Sequence, residues 1–138
     1  MESLTPSHCL DACAVIAYLR GEPGAEILTN LIAQPYVFLT MHVCNLGEVY
    51  YDFFREDGPG AAQTAWSRTL ELPLALRRDA DDGFIQRVGT IKVVERVSFA
   101  DAFALALSER LQVPLVTTDH HEFDSLEQRG SFQFLWLR

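Results

Sequence analysis

Four acids in the 138-residue chain fall where chemistry could be done: Asp11, Glu48, Asp101 and Asp119. Each has an ordinary explanation when taken alone. Asp11 follows Cys9-Leu10 and precedes an apolar helical stretch, so it can cap that helix through its side-chain oxygen. Glu48, in Asn45-Leu46-Gly47-Glu48, can be a solvated helix residue, although Asn45 one turn earlier puts a second polar group on its face. Asp101 stands in a run that is apolar almost all round, from Phe99 to Leu107, where an unpaired carboxylate costs several kcal/mol. Ser98, three residues earlier, offers it the spacing of a capping box. Asp119 closes the apolar run that begins at Pro114, as a turn residue would.

Their positions along the chain change the reading, because Asp11 and Asp119 both come just after expected strands and Asp101 opens a helix. In open parallel sheets the ligand crevice forms beyond the carboxyl ends of the strands. Carboxylates gathered there raise one another's pKa and cannot all stay ionised without cations. Mg2+ or Mn2+ would resolve this, being hard ions that take oxygen ligands and pair readily with phosphates. Such ions generate a nucleophile from bound water and steady a leaving oxygen, which is the chemistry of metal-assisted phosphodiester hydrolysis.

The elements that must position these acids alternate along the chain. A short strand over residues 8–11 is followed by a helix over 12–20 and a Gly-Pro-Gly turn. Pro23 then opens a helix over 24–33 with Ile27, Leu28, Leu31 and Ile32 on one face. A strand over 36–40, rich in aromatic and β-branched residues, leads into a helix over 42–55. Asp57-Gly58-Pro59-Gly60 breaks the chain before a helix over 61–70, with Ala62, Ala65, Trp66 and Leu70 as its inner face. A strand over 72–76 and a helix over 83–93 follow, the latter preceded by Asp79, Asp81 and Asp82, where negative charge favours a helix start. A long helix over 98–112, a buried strand over 114–118 and a last strand over 132–137 complete the pattern. Strictly alternating strands and helices imply a mostly parallel sheet covered on both faces, an α/β fold of three layers in a single domain spanning residues 1–138.

Composition agrees with a folded domain, at 49% hydrophobic and 22% charged residues. A chain of this size buries roughly 70% of its unfolded surface, so it needs no metal or disulfide merely to fold. The longest uncharged stretch near the start is far short of the roughly 18 apolar residues of a membrane helix, so no membrane association is expected. Cys9, Cys13 and Cys44 are odd in number and unpaired in spacing, which suits a reducing cytoplasm. With 11 basic and 19 acidic residues, a net charge of −8 excludes a protein that holds nucleic acid through a broad basic surface. It leaves room for a nucleic-acid enzyme whose bound cations invert the local field.

Leu10-Asp11, Asn45-Leu46-Gly47-Glu48, Ser98-Phe99-Ala100-Asp101 and Val116-Thr117-Thr118-Asp119 recur in this order in PIN-domain proteins, and the chain resembles the VapC-like ribonuclease toxins of toxin–antitoxin pairs. The resemblance spans nearly the whole chain and implies a three-layer α/β/α fold and Mg2+- or Mn2+-dependent endoribonuclease activity on RNA. It also implies Asp11 and Asp101 as central metal ligands, Glu48 binding metal or orienting water, and Asp119 holding a metal directly or through water. An antitoxin partner and a homodimer are implied as well. The family's hydroxyl residue after the first aspartate is replaced by Ala12, followed by Cys13, which removes a possible hydrogen-bond donor to Asp11. Asp124 would be a further acid at the rim, and His120 and His121 would lie beside the metals or in an exposed turn.

Other readings fit less well. The cysteines and His120-His121 lack zinc-site spacing. Asp79-Ala80-Asp81-Asp82-Gly83 misses the calcium-loop pattern, its glycine arriving one position early. A receiver-like signalling domain would need a lysine near the last strand, and the chain's one lysine is Lys92. A non-catalytic PIN-like module for RNA binding or assembly is the remaining alternative. Arg20, Arg55, Arg77, Arg78, Arg129 and Arg138 are the candidate phosphate contacts. Residues 27–32 with Tyr50, Tyr51, Phe53 and Phe54 form the candidate groove for an antitoxin tail.

Overall fold

The computed structural model describes residues 5–138. Its five strands are β1 (His8–Leu10), β2 (Leu39–His42), β3 (Leu74–Arg77), β4 (Leu115–Thr117) and β5 (Phe134–Trp136). All pair in parallel, in the order β3-β2-β1-β4-β5. Chain order therefore reverses direction at β1, and the crevice beyond β1 and β4 is the switch point at which such sheets hold ligands.

Strands this short are specified by burial on both faces, since successive side chains point to opposite sides. Leu10, Leu39, Met41 and Val116 enter one core with α1 (Ala12–Arg20), α2 (Ala25–Ile32), α3 (Val43–Asp57) and α4 (Pro59–Leu70). Cys9 and Leu115 enter the other, with α5 (Asp82–Glu95), α6 (Phe99–Leu111) and α7 (His120–Gln128). These two cores make the expected three layers. No helix of the described residues is long and apolar enough to cross a membrane.

Several local expectations shift. The second strand begins at Leu39, not at residue 36, and Tyr36 stands exposed. Within α4 the buried face is Ala62, Ala65 and Thr69, whose hydroxyl donates to the Ala65 carbonyl at 2.7 Å, while Leu70 is exposed. Only Leu28 of the α2 face is fully buried, and Ile27 is exposed. The segment after Asp119 is a helix, α7, not a turn.

Gly24 joins α1's turn to α2 with φ +98°, and a Cβ built on it would collide with the Leu137 backbone at the far end of the chain. Two requirements, a left-handed backbone and a close chain crossing, meet at this one residue. Gly24→Ala is expected to lower stability by on the order of 2–4 kcal/mol. Gly60→Ala, inside α4 where an added Cβ meets nothing within 4 Å, should leave stability unchanged or raise it by up to about 1 kcal/mol. Urea denaturation of the two variants checks this contrast.

Candidate active site

Asp11 follows the last residue of β1 and is 2% exposed. Its Oδ1 accepts from the Ala14 N–H at 2.8 Å, capping α1, and its Oδ2 accepts from the Thr117 hydroxyl at 2.5 Å. The same hydroxyl accepts from the Asp119 N–H at 3.0 Å, so one side chain of β4 ties two acids together. Asp119 caps α7, accepting from the Glu122 N–H at 3.1 Å.

Ser98 caps α6 by accepting from the Asp101 N–H at 3.1 Å, which fixes Asp101 in the first turn of that helix. Glu48 lies on α3, and the fully buried Asn45 one turn before it donates to Glu48 Oε1 at 3.4 Å and to the Ala100 carbonyl at 2.9 Å. Asn45 therefore holds Glu48 to the backbone beside Asp101. Its Oδ1 is a buried oxygen with no hydrogen-bond partner.

These placements bring the four acids near enough to act on a common neighbour, the half-buried Cys13. Burial pushes its thiol up, and the charges of Asp11, Asp119, Asp101 and Glu48 each add to the rise. Burial raises Asp11 to about 7 against the pull of Thr117 and Ala14, with Asp101 and Asp119 adding repulsion. Burial likewise raises Asp101 to about 7, opposed by Ser98 and reinforced by Asp119, Glu48 and Glu122. Glu48 is raised by burial, opposed by Asn45, with Asp119 and Asp52 adding to the rise.

Residues outside the quartet sort themselves by partner. Glu122, which the sequence reading passed over, adds its charge to the crevice. The spacing Asp119-x-x-Glu122 was a visible signal for it and for α7. Asp124 does not join the acids: it bonds His120 Nδ1 at 2.7 Å. His120 stacks on Trp136 at 3.9 Å and bonds the Arg138 carbonyl through Nε2 at 2.6 Å, which seats α7 on β5. Asp79 and Asp81 are held by Arg77 and Arg110, and Asp81 caps α5 by accepting from the Phe84 N–H. Of the arginines expected to meet phosphate, Arg20, Arg55, Arg77, Arg129 and Arg138 are engaged by acids. Arg78 stands exposed without an acidic partner among the described residues.

The raised carboxyls set the sign of the pH dependence. Below about pH 4 folded and unfolded chains are both protonated, and as pH rises to about 7 the unfolded chain releases protons that native Asp11 and Asp101 retain. The contribution of these groups to stability falls through that window. In chelator at about pH 8, Asp101→Asn is expected to be more stable than the parent by on the order of 1–3 kcal/mol, the solvent near Asp101 screening part of the effect. The difference should shrink toward zero at about pH 4 in urea titrations at both pH values.

Residues 8–128 match the family described as PIN domain. Comparison with curated proteins returns no match. Among solved structures, the chain is similar to a toxin–antitoxin complex from Klebsiella pneumoniae, at 18% identity over 85% of this chain and 90% of that one, TM-score 0.63. A VapC toxin of Mycobacterium tuberculosis, described as cleaving the sarcin-ricin loop, aligns at 17% identity over 94% and 98%, TM-score 0.68. A DNA-bound VapBC from Salmonella typhimurium aligns at 13% identity over 96% and 99%, TM-score 0.71. At such identities the structural likeness speaks for the fold, which is that of VapC toxins, and the family match covers all four acids. This chain belongs to the PIN domain family.

Proposed function

We propose that the chain is a divalent-metal-dependent endoribonuclease, the toxin of a toxin–antitoxin pair, with Asp11, Glu48, Asp101 and Asp119 as its catalytic acids. The observation that carries this reading is the crevice itself, where four carboxylates from β1, α3, α6 and the end of β4 press on one another's charge. Among the described residues no three His, Cys, Asp or Glu side chains stand close enough to hold an ion by themselves. An all-oxygen donor set would suit Mg2+ or Mn2+, hard ions that keep several waters and are held by one or two carboxylates together with substrate phosphate oxygens. The donors are all oxygen, and neutralising their repulsion is what the buried acids lack.

A bound divalent ion would supply a water activated for in-line attack and neutralise charge on the phosphate. The protein's own part is placement. Asp11, locked by Ala14 and Thr117, and Asp101, set by Ser98, would be the central ligands. Glu48, held by Asn45, would bind metal or orient the attacking water, and Asp119 would complete the set directly or through water. With most basic side chains committed to acids, phosphate capture falls to the metal site, which favours single-stranded or looped RNA chosen by shape.

An antitoxin is the proposed protein partner, in keeping with the toxin–antitoxin complexes the fold resembles. Its tail would lie on the exposed aromatic face of α3, where Tyr51 and Phe54 stand beside Tyr50 and Arg55. Phe53 instead is covered by the Arg20 guanidinium at 4.1 Å. Self-association as a homodimer completes the reading.

Cleavage of a mixed RNA pool tests the activity. Cutting should require Mg2+ or Mn2+, stop on chelation, and fall by about a hundredfold or more in Asp101→Asn. Cutting indifferent to chelation and to that substitution would refute the assignment. Asn45→Ala should weaken Mn2+ binding or cleavage by about 10–100-fold, read by titration calorimetry and by turnover, and should have little further effect when Glu48→Gln is already present.

A further inference from the structure

The segment from Lys92 to Asp101 joins the end of α5 to the first turn of α6, and it carries an aromatic ring that the core does not use. Most of α6 is buried, and Phe103 packs its ring on His42 and Phe84. Phe99, one turn earlier, is left 57% exposed. Lys92 Nζ lies 5.1 Å from the centroid of the Phe99 ring and donates to the Val97 carbonyl at 3.2 Å. Arg96, exposed, turns the chain between the two helices at φ 59°. Neither cation has an acidic partner among the described residues, whereas most arginines of the chain do. Glu95, the acid of this segment, is taken by Arg129. What remains at the surface is a ring flanked by two positive charges, in a chain of net charge −8.

Such a group suits single-stranded nucleic acid, whose bases stack on aromatic rings while cations meet the phosphates on either side. We propose that Phe99, Lys92 and Arg96 form a subsite that stacks one nucleobase of a single-stranded RNA next to Asp101. The subsite rests on the nuclease reading, to which it adds a contact for the substrate. Two residues of a helix lie about 3 Å apart along its axis and about 200° apart around it. Phe99 and Asp101 therefore share one end of α6 and point to different sides. One phosphate cannot meet both, and a phosphate drawn to the acids through a cation leaves the neighbouring nucleotide beside the ring. Every base has a π-face, so stacking on Phe99 adds affinity to a site poor in positive charge without choosing a sequence. An apolar peptide is the poorer occupant, because the surface residues on either side of this point of the chain, Arg96 and Ser98, are charged or polar.

The test is fluorescence anisotropy of a labelled single-stranded RNA of mixed sequence, titrated with the full chain carrying Asp101→Asn to slow cutting. On that background Phe99→Ala should weaken binding by about tenfold. Phe99→Leu should weaken it as much, and Phe99→Trp should keep it. Arg96→Gln should weaken binding and lower the slope of log affinity against log salt by roughly 0.7, a slope that Phe99→Ala leaves unchanged. With Asp101 in place, Phe99→Ala should raise KM for RNA cleavage more than it lowers kcat. Circular dichroism should be unchanged throughout. RNA binding indifferent to Phe99 and to Arg96 overturns the subsite. So does binding by Phe99→Leu as tight as with the ring, which would mark a seat for an apolar partner instead of a base. RNA bound through Phe99 but cut under no metal overturns the nuclease reading alone.

Discussion

Like charge confined at one place is the constraint on which the rest of this structure depends. A parallel sheet sends the ends of β1 and β4 to the same edge, and the helices that follow them start there. Asp11 caps α1, Asp119 caps α7 and Asp101 sits in the first turn of α6, so three helix N-termini converge on one crevice. Each N-terminus favours a negative charge by a fraction of a kcal/mol to about 1 kcal/mol. Helix capping thereby places the acids, and repulsion among them leaves the crevice short of positive charge. The helix caps and the gathering of negative charge are the same geometry seen at two scales.

The surrounding hydrogen bonds keep that repulsion from opening the site. Thr117 bonds Asp11 and the backbone of Asp119 with one hydroxyl. Asn45 bonds Glu48 and the chain just before Asp101 with one amide. Both are fully buried, so breaking either bond would leave a polar group without water to replace its partner. A site held this way is kept assembled by the protein's own hydrogen bonds.

Much of this was legible in the sequence because it is local. Asp11 and Asp119 after apolar runs, and the Ser98-to-Asp101 spacing, are signals within a few residues, and they led to the right ends of the right elements. What escaped is of two kinds. The α7 helix was hidden because its residues are mostly polar, with only Phe123 and Leu126 buried, so too few apolar positions mark its inner face and the cap at Asp119 was the better clue. Long-range pairings were out of reach altogether. Nothing near Thr117 in sequence points to Asp11, more than a hundred positions away, and nothing near Arg129 points to Glu95. The exposed Leu70 and buried Thr69 show the same limit, since a hydroxyl that bonds back to its own helix passes for apolar in a core.

The fold and the family membership stand on the matched residues and the parallel sheet, while the activity turns on whether the crevice takes a cation. Diffraction from crystals soaked in Mn2+, with the ion located by its anomalous scattering, tests that most directly. The account predicts a peak within coordination distance of the Asp11 and Asp101 carboxylates that disappears in Asp101→Asn. Manganese bound only elsewhere, with those carboxylates left without it in the parent protein, would contradict it.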